Sequence, residues 1–324
     1  MKRLISLLLC ALLIIPALAE DAPDFEPISW DIKVSPNLPN PDCYLPNNGG
    51  YHDDSIDIQI NVTYWTQDLQ QVDAPGEGTT TVMSARVKLT DVSQFRTGFA
   101  NKYPSKQARH VNDMTKRFNA VMGIDGDYCL YHEQGIVVRN GQTLRMRPHK
   151  GRDELIVDEN GDFHLITCTT QSKWDEYIAG GGTVLHAFCF GPALVVDGVP
   201  LTNLDDVTID NGKAKKAQRM VIGQIGKLEY LILTNEGPES TAPKSVGFDL
   251  VQMANLCVQF GLNNAYNLDG GSSSTIALNN QKINSPSSHK NRMVGDCIWF
   301  ATLVKEETWR EKESVQTVEV EENK

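Results

Sequence analysis

Polar residues crowd into one short run, residues 267–275, which reads Asn-Leu-Asp-Gly-Gly-Ser-Ser-Ser-Thr. Asn267 and Asp269 are two positions apart, so their side chains face the same side of an extended segment. Paired glycines allow positive φ angles, and their amides with nearby hydroxyls can surround a phosphate oxygen. The run therefore predicts a carboxylate beside an anion site, although a glycine- and serine-rich turn explains it equally well. The candidate donors are Gly270, Gly271, Ser272 and Ser273.

Two further features could contribute to such a site. Asp125 and Asp127 flank a glycine at the end of a predicted strand, and paired carboxylates there are candidates for general acid and base chemistry. A calcium-binding or turn-forming pair is the alternative interpretation. Arg219 precedes an apolar stretch and could hold a phosphate through two hydrogen bonds, although a lone arginine at a strand start is usually just solvated.

The elements that must position these residues are mostly strands. Alternation predicts a strand over residues 56–65, and apolar runs predict others over 81–89, 120–124, 188–196, 219–222, 227–234, 264–268 and 297–304. Asn140-Gly141 and Asn160-Gly161 predict hairpin turns. Helical spacing predicts helices over residues 104–119 and 247–260. We therefore expect an α+β fold: a mixed, mostly antiparallel sheet with a few packed helices.

The two ends of the chain differ in composition from its middle. Lys2 and Arg3 precede an apolar run that closes on Ala17-Leu-Ala19, a pattern typical of a signal peptide over residues 1–19. Residues 20–78 form an expected N-terminal extension with one strand, residues 79–304 the main domain, and residues 305–324 a charged tail. The leader predicts a protein that is secreted or held at the cell surface or in the periplasm, without a stable membrane span.

The net charge and the cysteine content limit the classes of partner and cofactor that we expect. The chain carries a formal net charge of −11, and loss of Lys2 and Arg3 with the leader makes it −13. Such an acidic surface repels nucleic acid and anionic lipid, so neither is an expected partner. Six cysteines remain, with no Cys-x-x-Cys pair, so no metal site or cofactor is predicted beyond a calcium ion at the Asp125/Asp127 pair. Disulfides and buried thiols stay open alternatives, and so does the oligomeric state.

Six motifs, in order along residues 79–304, resemble the phosphodiester glycosidase domain family, which is related to the lysosomal enzyme that uncovers mannose 6-phosphate. The motifs begin at Asp125 (Asp-Gly-Asp-Tyr-Cys), Gly191 (Gly-Pro-Ala-Leu-Val-Val-Asp-Gly), Arg219 (Arg-Met-Val-Ile-Gly), Ser245 (Ser-Val-Gly), Asn267 (Asn-Leu-Asp-Gly-Gly-Ser-Ser) and Arg292 (Arg-Met-Val-Gly-Asp-Cys-Ile). The first motif differs from the family pattern at two places: Asp125 replaces the usual asparagine, and Tyr128-Cys129 replaces an aromatic pair.

The resemblance implies hydrolysis of a sugar-1-phosphodiester in a cell-wall, capsule or exopolysaccharide type of glycan or a glycoconjugate. Phosphate is already a good leaving group, so the enzyme must mainly stabilise an oxocarbenium-like centre and supply water or a nucleophile. We assign these catalytic tasks to Asp127 and Asp269, in either order. Substrate binding falls to a second group of residues: Asp125, Arg219, Asn267, Gly270, Gly271, Ser272 and Ser273.

Two other functions remain open. The family's usual Asp-Gly-Arg is replaced by Asn235-Glu-Gly237, so an expected arginine is missing, which favours a non-catalytic protein that binds glycan or sugar phosphate. A serine hydrolase using Ser272 is the other alternative. It would lack the Gly-x-Ser-x-Gly motif, and none of the seven histidines stands in an evident partner motif.

Overall fold

The computed structural model describes residues 37–208, 215–240, 244–285 and 291–310. The predicted signal peptide and the tail beyond residue 310 lie outside the described residues. The strands are β1 Tyr44–Leu45, β2 Gly50–His52, β3 Ile56–Trp65, β4 Gln71–Val72, β5 Thr80–Leu89, β6 Phe95–Phe99, β7 Met122–Asp125, β8 Gly135–Arg139, β9 Gln142–Arg147, β10 Glu154–Val157, β11 Phe163–Ile166, β12 His186–Phe188, β13 Ala193–Val196, β14 Val199–Pro200, β15 Arg219–Gly226, β16 Glu229–Asn235, β17 Asn264–Leu268, β18 Ile276–Leu278, β19 Gln281–Lys282 and β20 Asp296–Phe300. The α-helices are α1 Val111–Phe118, α2 Gln171–Ala179 and α3 Leu250–Gln259, and short 3-10 turns are Pro41–Cys43, Pro46–Asn48, Val92–Gln94 and Gly271–Ser273.

The strands form three sheets, and every pairing between described strands is antiparallel. The largest sheet has ten strands in the order β1-β2-β3-β5-β16-β15-β17-β13-β14, with β4 added beside β3. Two sheets of five strands run β11-β10-β12-β8-β9 and β19-β18-β7-β20-β6. The antiparallel prediction is confirmed, but the fold is richer in strand than the expected α+β arrangement.

The main core lies where the three sheets face one another. Strands of the largest sheet alternate, so Met220 and Ile222 of β15 point into this core, while Val221 points to the outer face. Phe95, Phe163, Tyr230 and Phe300 meet at the centre, with ring centroids 5.2 to 6.4 Å apart. Burial of these large apolar surfaces supplies most of the favourable free energy that holds the sheets together.

Each helix covers the outer face of a different sheet. Helix α3 packs against the ten-stranded sheet, and its N-terminus is closed by a capping box between Asp249 and Gln252. Helix α1 covers β7 and β20, where Phe118 stacks on Trp299 at 5.3 Å. Helix α2 covers β10 and β12 with Trp174. Apolar strand faces are thereby removed from water on both sides.

The N-terminal extension differs from its prediction. The described part of residues 20–78 contains four strands instead of one, and β3 pairs along its whole length with β5. Strand β3 itself matches the predicted bounds, but its edge groups require a partner, and β5 provides it. These residues are therefore part of the largest sheet and not an appendage.

Two other predictions were wrong in part, and one helix was not predicted. Helix α1 begins at Val111 and not near Pro104, because Pro104 lies in a turn and Arg109 forms a β-bridge with Val294. The predicted strand over residues 188–196 is divided into β12 and β13 by the Gly191-Pro192 step, which has a cis peptide bond. Helix α2 was missed. Both hairpin turns are confirmed, and Asn140 and Gly141 have the positive φ angles that such a turn requires.

Candidate active site

A cavity of about 310 Å³ opens at the edge of the largest sheet, where β15 and β13 begin and β17 ends. Strand β17 lies between the other two in the sheet. Antiparallel pairing therefore brings the ends of these three strands together at the cavity. The residues that line the cavity are Tyr128, Arg152, Phe190, Gly191, Thr208, Lys215, Lys216, Ala217, Gln218, Arg219, Gly237, Pro238, Glu239, Asn267, Leu268, Asp269, Gly270, Gly271, Ser272 and Arg292.

Asp269 occupies the centre of this arrangement. It directly follows β17, and only 7% of its surface is exposed. Its amide donates to Gly126 O at 3.3 Å, which ties the end of β17 to the chain that leaves β7. Its Oδ1 atom accepts from the Gly270 amide at 2.9 Å. The carboxylate is thus held at the junction of two sheets while it lines the cavity.

Arg219 lines the same cavity from the neighbouring strand. Met220 of β15 pairs with Leu268 at the end of β17, and Arg219 and Asp269 are the next residues of the two segments at the cavity. Arg219 is 8% exposed, its Nη2 atom donates to Lys215 O at 2.6 Å, and its Nε atom has no hydrogen-bond partner among the described residues. Burial lowers the pKa of Arg219, and the charge of Asp249 opposes this shift. A buried cation with an unused donor is suited to an anionic ligand.

The cavity is more basic than the protein as a whole. Among the described residues that line it, five side chains are basic and two, Asp269 and Glu239, are acidic. The chain carries a formal net charge of −11, so the excess of positive charge is local to the cavity and favours an anionic ligand there. The basic residues are Arg152, Lys215, Lys216, Arg219 and Arg292.

Two of these arginines are held by an aromatic cluster. Arg292 lies over the Tyr128 ring at 4.8 Å and donates to the Tyr128 hydroxyl at 2.9 Å. The Tyr128 ring also stacks on Tyr131 at 4.5 Å. Arg152 donates to Phe190 O at 3.2 Å and contacts His132 Nδ1 at 2.8 Å. These contacts fix Tyr128, and Tyr128 in turn positions Arg292.

Asp127 does not reach the cavity, contrary to the expected place of a catalytic carboxylate. It is fully buried, pairs with Arg139 at 2.9 Å, and accepts from the amides of Cys129 and Cys189. Burial alone would raise the pKa of Asp127, but the charge of Arg139 and these amides hold it below its usual value. The sequence indicated a shared face for Asp125 and Asp127, but it could not show that Arg139 covers one of them.

Asp125 and Ser273 also lie beneath the cavity surface and do not line it. Asp125 is fully buried and accepts from the Thr275 amide at 2.8 Å. Burial raises its pKa well above the usual value, and the charge of Asp269 raises it further. Burial and the neighbouring Asp269 charge therefore both favour the protonated form of Asp125. Direct substrate contact, expected for both Asp125 and Ser273, does not fit this placement.

The backbone amides of the two glycines are also engaged differently from the prediction. Gly271 donates to Gln218 O at 2.9 Å, and Gly270 donates to the Asp269 carboxylate. Neither amide points to a ligand, although both residues line the cavity. A Cβ atom on Gly270 would lie 2.8 Å from Gln218 O, so glycine is required there for close packing of two backbones.

One cluster has the spacing of a metal site. Ligand atoms of Asp127, Cys129 and Asp296 lie within 4.8 Å of one another. The Arg139 guanidinium already contacts both carboxylates, at 2.9 and 3.0 Å. Its positive charge takes the place that a cation would have, and the residues fit an internal ion pair.

Among the helices of the described residues, none has the length and apolar character that a membrane span requires.

Six of the nine predicted site residues line the cavity together: Asp269, Arg219, Asn267, Gly270, Gly271 and Ser272. The residues that were missed come from separate segments and have little local pattern around them. Arg292 had a signal, since it opens the closing Arg-Met-Val motif, and Tyr128 belonged to another motif. Arg152 and Lys215 had no sequence signal of this kind.

Comparison with known proteins agrees with the resemblance found in the motifs. A phosphodiester glycosidase family model matches residues 118–301. No curated protein matches the sequence. The catalytic domain of zebrafish N-acetylglucosamine-1-phosphodiester alpha-N-acetylglucosaminidase, auto-inhibited by its pro-peptide, has a similar fold, with a TM-score of 0.61 at 14% identity over 82% of this chain and 87% of that one.

A hypothetical protein from Synechocystis is similar over 76% of this chain and 62% of that one, with a TM-score of 0.50 and 14% identity. At these low identities, the two matches show a shared fold and do not indicate the substrate. The family model, in contrast, spans more than half of the chain and includes both Arg219 and Asp269. The chain belongs to the phosphodiester glycosidase family.

Proposed function

We propose that this protein is an exported glycosidase that hydrolyses a sugar-1-phosphodiester in a glycan or glycoconjugate, of the cell-wall, capsule or exopolysaccharide type. The observation that carries the proposal is that Asp269, which follows β17, and Arg219, which begins the neighbouring strand β15, line one cavity with an excess of positive charge. A phosphodiester is an anion, and its sugar carbon becomes positive as the bond to phosphate breaks. The cavity offers a cation to bind the anionic phosphodiester and a carboxylate to stabilise the positive sugar carbon.

The chemistry would divide between these two residues. Arg219 would hold the phosphate and stabilise the charge that gathers on it as the C1–O bond breaks. Asp269 would stabilise the positive sugar carbon, either by attacking it or by taking a proton from water. Water adds its hydroxyl to C1 and its proton to the departing phosphate. The products are a free sugar and the phosphomonoester of the second alcohol.

Asp125 takes a supporting role in this proposal, in place of substrate contact. Burial and the charge of Asp269 raise the pKa of its carboxyl, and the protonated form avoids a second buried negative charge beside Asp269. Asp127 is assigned to the internal ion pair with Arg139. The catalytic carboxylate of the proposal is therefore Asp269.

A non-catalytic glycan-binding protein is the second candidate. The missing arginine at Asn235-Glu-Gly237 favours it, and Glu236 is turned to internal contacts with Gln218 and Ser240. An assay separates the two: release of sugar from a panel of synthetic hexose-1-(alkyl phosphates), beside the matching alkyl glycosides. The glycosidase should release sugar from at least one phosphodiester and leave the alkyl glycosides intact. Saturable binding without release would favour the binding protein.

A serine hydrolase is disfavoured by the surroundings of the serine run. Ser273 and Ser274 are buried, and Ser272 is the member that lines the cavity. No histidine is among the described residues that line the cavity. Treatment with a fluorophosphonate would label Ser272 only if this alternative were correct.

A further inference from the structure

The basic residues of the cavity form two groups on opposite sides of Asp269. Strand β17 ends at the cavity with β15 on one side and β13 on the other. Arg219 begins β15, whereas Arg152 donates to the carbonyl oxygen of Phe190, three residues before β13. Neighbouring strands are about 4.8 Å apart, so the backbones of β15 and β13, on either side of β17, are about 10 Å apart. Asp269 lies between them.

The second group consists of Arg152 and Arg292, which other side chains hold in place. Arg152 is 6% exposed, has no carboxylate at ion-pair distance among the described residues, and its Nε atom lacks a hydrogen-bond partner there. It is held by Phe190 O and by His132, whose ring lies 5.3 Å from Tyr128. Tyr128 carries Arg292 on its other side. Two arginines are thus fixed on the flank away from Arg219.

A simple phosphodiester has one negative charge, which Arg219 with Lys215 is sufficient to meet. Leaving Arg152 buried and uncompensated costs free energy unless a ligand supplies an anion there. The separation of the flanks matches the size of one sugar ring with an anionic group at each end.

Building on the proposed function, we propose that the sugar bound at Asp269 carries a second anionic group, a phosphate or a carboxylate, which binds at Arg152 and Arg292 while the scissile phosphodiester binds at Arg219. The substrate class is accordingly a dianionic sugar, such as one repeat of a glycan joined through phosphates or one containing uronic acid. The Arg152 side would then select the sugar, and the Arg219 side would serve the reaction.

Binding of small probes tests this without turnover. Titration calorimetry at fixed ionic strength would compare α-glucose 1-phosphate, α-glucose 1,6-bisphosphate and α-glucuronic acid 1-phosphate. At least one of the two doubly substituted probes should bind about tenfold or more tightly than glucose 1-phosphate, and which one does identifies the anion as phosphate or carboxylate. Equal affinity for all three would overturn the proposal.

Variants show whether the advantage arises at Arg152. Arg152→Gln should bring the affinity ratio near one, and Arg292→Gln should reduce it, which provides a second test if the first variant folds poorly. Arg86→Gln, an exposed arginine paired with Glu229, is the matched control and should keep the ratio. An advantage that survives both Arg152→Gln and Arg292→Gln would contradict the assignment.

Failure of this inference and failure of the proposed function look different. If sugar is released from phosphodiesters but no probe with two anions is preferred, the second anion is wrong and the glycosidase stands. If the preference is found but no phosphodiester is cleaved, the dianion site stands and the hydrolytic reaction is wrong.

Discussion

At the scale of residues, the proposed reaction depends on Asp269 and Arg219, which reach one cavity from the end of β17 and the start of β15. Asp269→Asn keeps the size of the side chain and its contact with the Gly270 amide, but removes the negative charge. We expect the rate of sugar release to fall by about three orders of magnitude or more, because the positive sugar carbon loses its counter-charge. Initial rates on the best phosphodiester of the panel measure this.

The control for that variant is Asp68→Asn, a loop position outside the cavity, which should keep full activity. Thermal unfolding of the Asp269→Asn protein should stay close to that of wild type. A variant that folds and retains a tenth or more of the wild-type rate would remove Asp269 from the catalytic role.

Arg219 offers a graded test of phosphate binding. Arg219→Gln should lower kcat/KM by about two orders of magnitude, since the guanidinium stabilises charge on the departing phosphate. Arg219→Lys should recover part of this loss, because an ammonium keeps the charge but not the two-point geometry. Equal activity of the Gln variant and wild type would mean that the phosphate binds elsewhere.

At the scale of elements, Asp127 and Arg139 join the chain after β7 to the end of β8. In Asp127→Asn, an amide nitrogen replaces an oxygen that accepts from Cys129 or Cys189, so two donors face each other. We expect a loss of about 3 kcal/mol in the free energy of unfolding, measured by urea titration. A variant as stable as wild type but inactive would restore Asp127 to the catalytic role that its sequence motif predicted.

Much of the element pattern could be predicted, and the failures have physical causes. Strand β3 and the two hairpins follow from alternation and from asparagine-glycine turns, which are local signals. Helix α2 was missed, although Trp174, Tyr177 and Ile178 have helical spacing and Thr170 caps its start. The cavity could not be predicted from local signals, because Arg219 and Asp269 line one cavity only through the antiparallel pairing of β15 with β17.

The same reasoning explains which site residues were found. Those in the run after β17 are neighbours in sequence, so the run alone indicated most of them. Arg152 reaches the cavity from the loop before β10, and no spacing rule connects it to Asp269. Burial of Asp125 and Asp127 was equally hidden, because alternation defines a shared face but does not say whether that face meets solvent or core.

At the scale of the whole molecule, buried carboxyls make stability depend on pH. Burial, with the charge of Asp127, raises the pKa of Asp296 to about 7. The unfolded chain releases this proton near pH 4, so between about pH 5 and 7 the native state holds the extra proton. The free energy of unfolding therefore falls as the pH rises through this window.

Asp296→Asn isolates that effect, since asparagine stays neutral and does not titrate. Relative to wild type, the variant should gain up to about 1 kcal/mol per pH unit between pH 5 and 7, and the gain should level off above that range. Urea titrations at several pH values would show it. Parallel stability curves for the two proteins would mean that Asp296 does not take up a proton in this window.

The most direct test of the central claim is to identify which bond breaks. A sugar-1-phosphodiester that the wild-type protein cleaves would be hydrolysed in water enriched in oxygen-18, and the phosphomonoester product weighed by mass spectrometry. Attack at the sugar carbon beside Asp269 predicts an unlabelled phosphomonoester, because its oxygens all come from the substrate. A phosphomonoester that carries oxygen-18 would show cleavage at phosphorus and would contradict the assignment as a glycosidase.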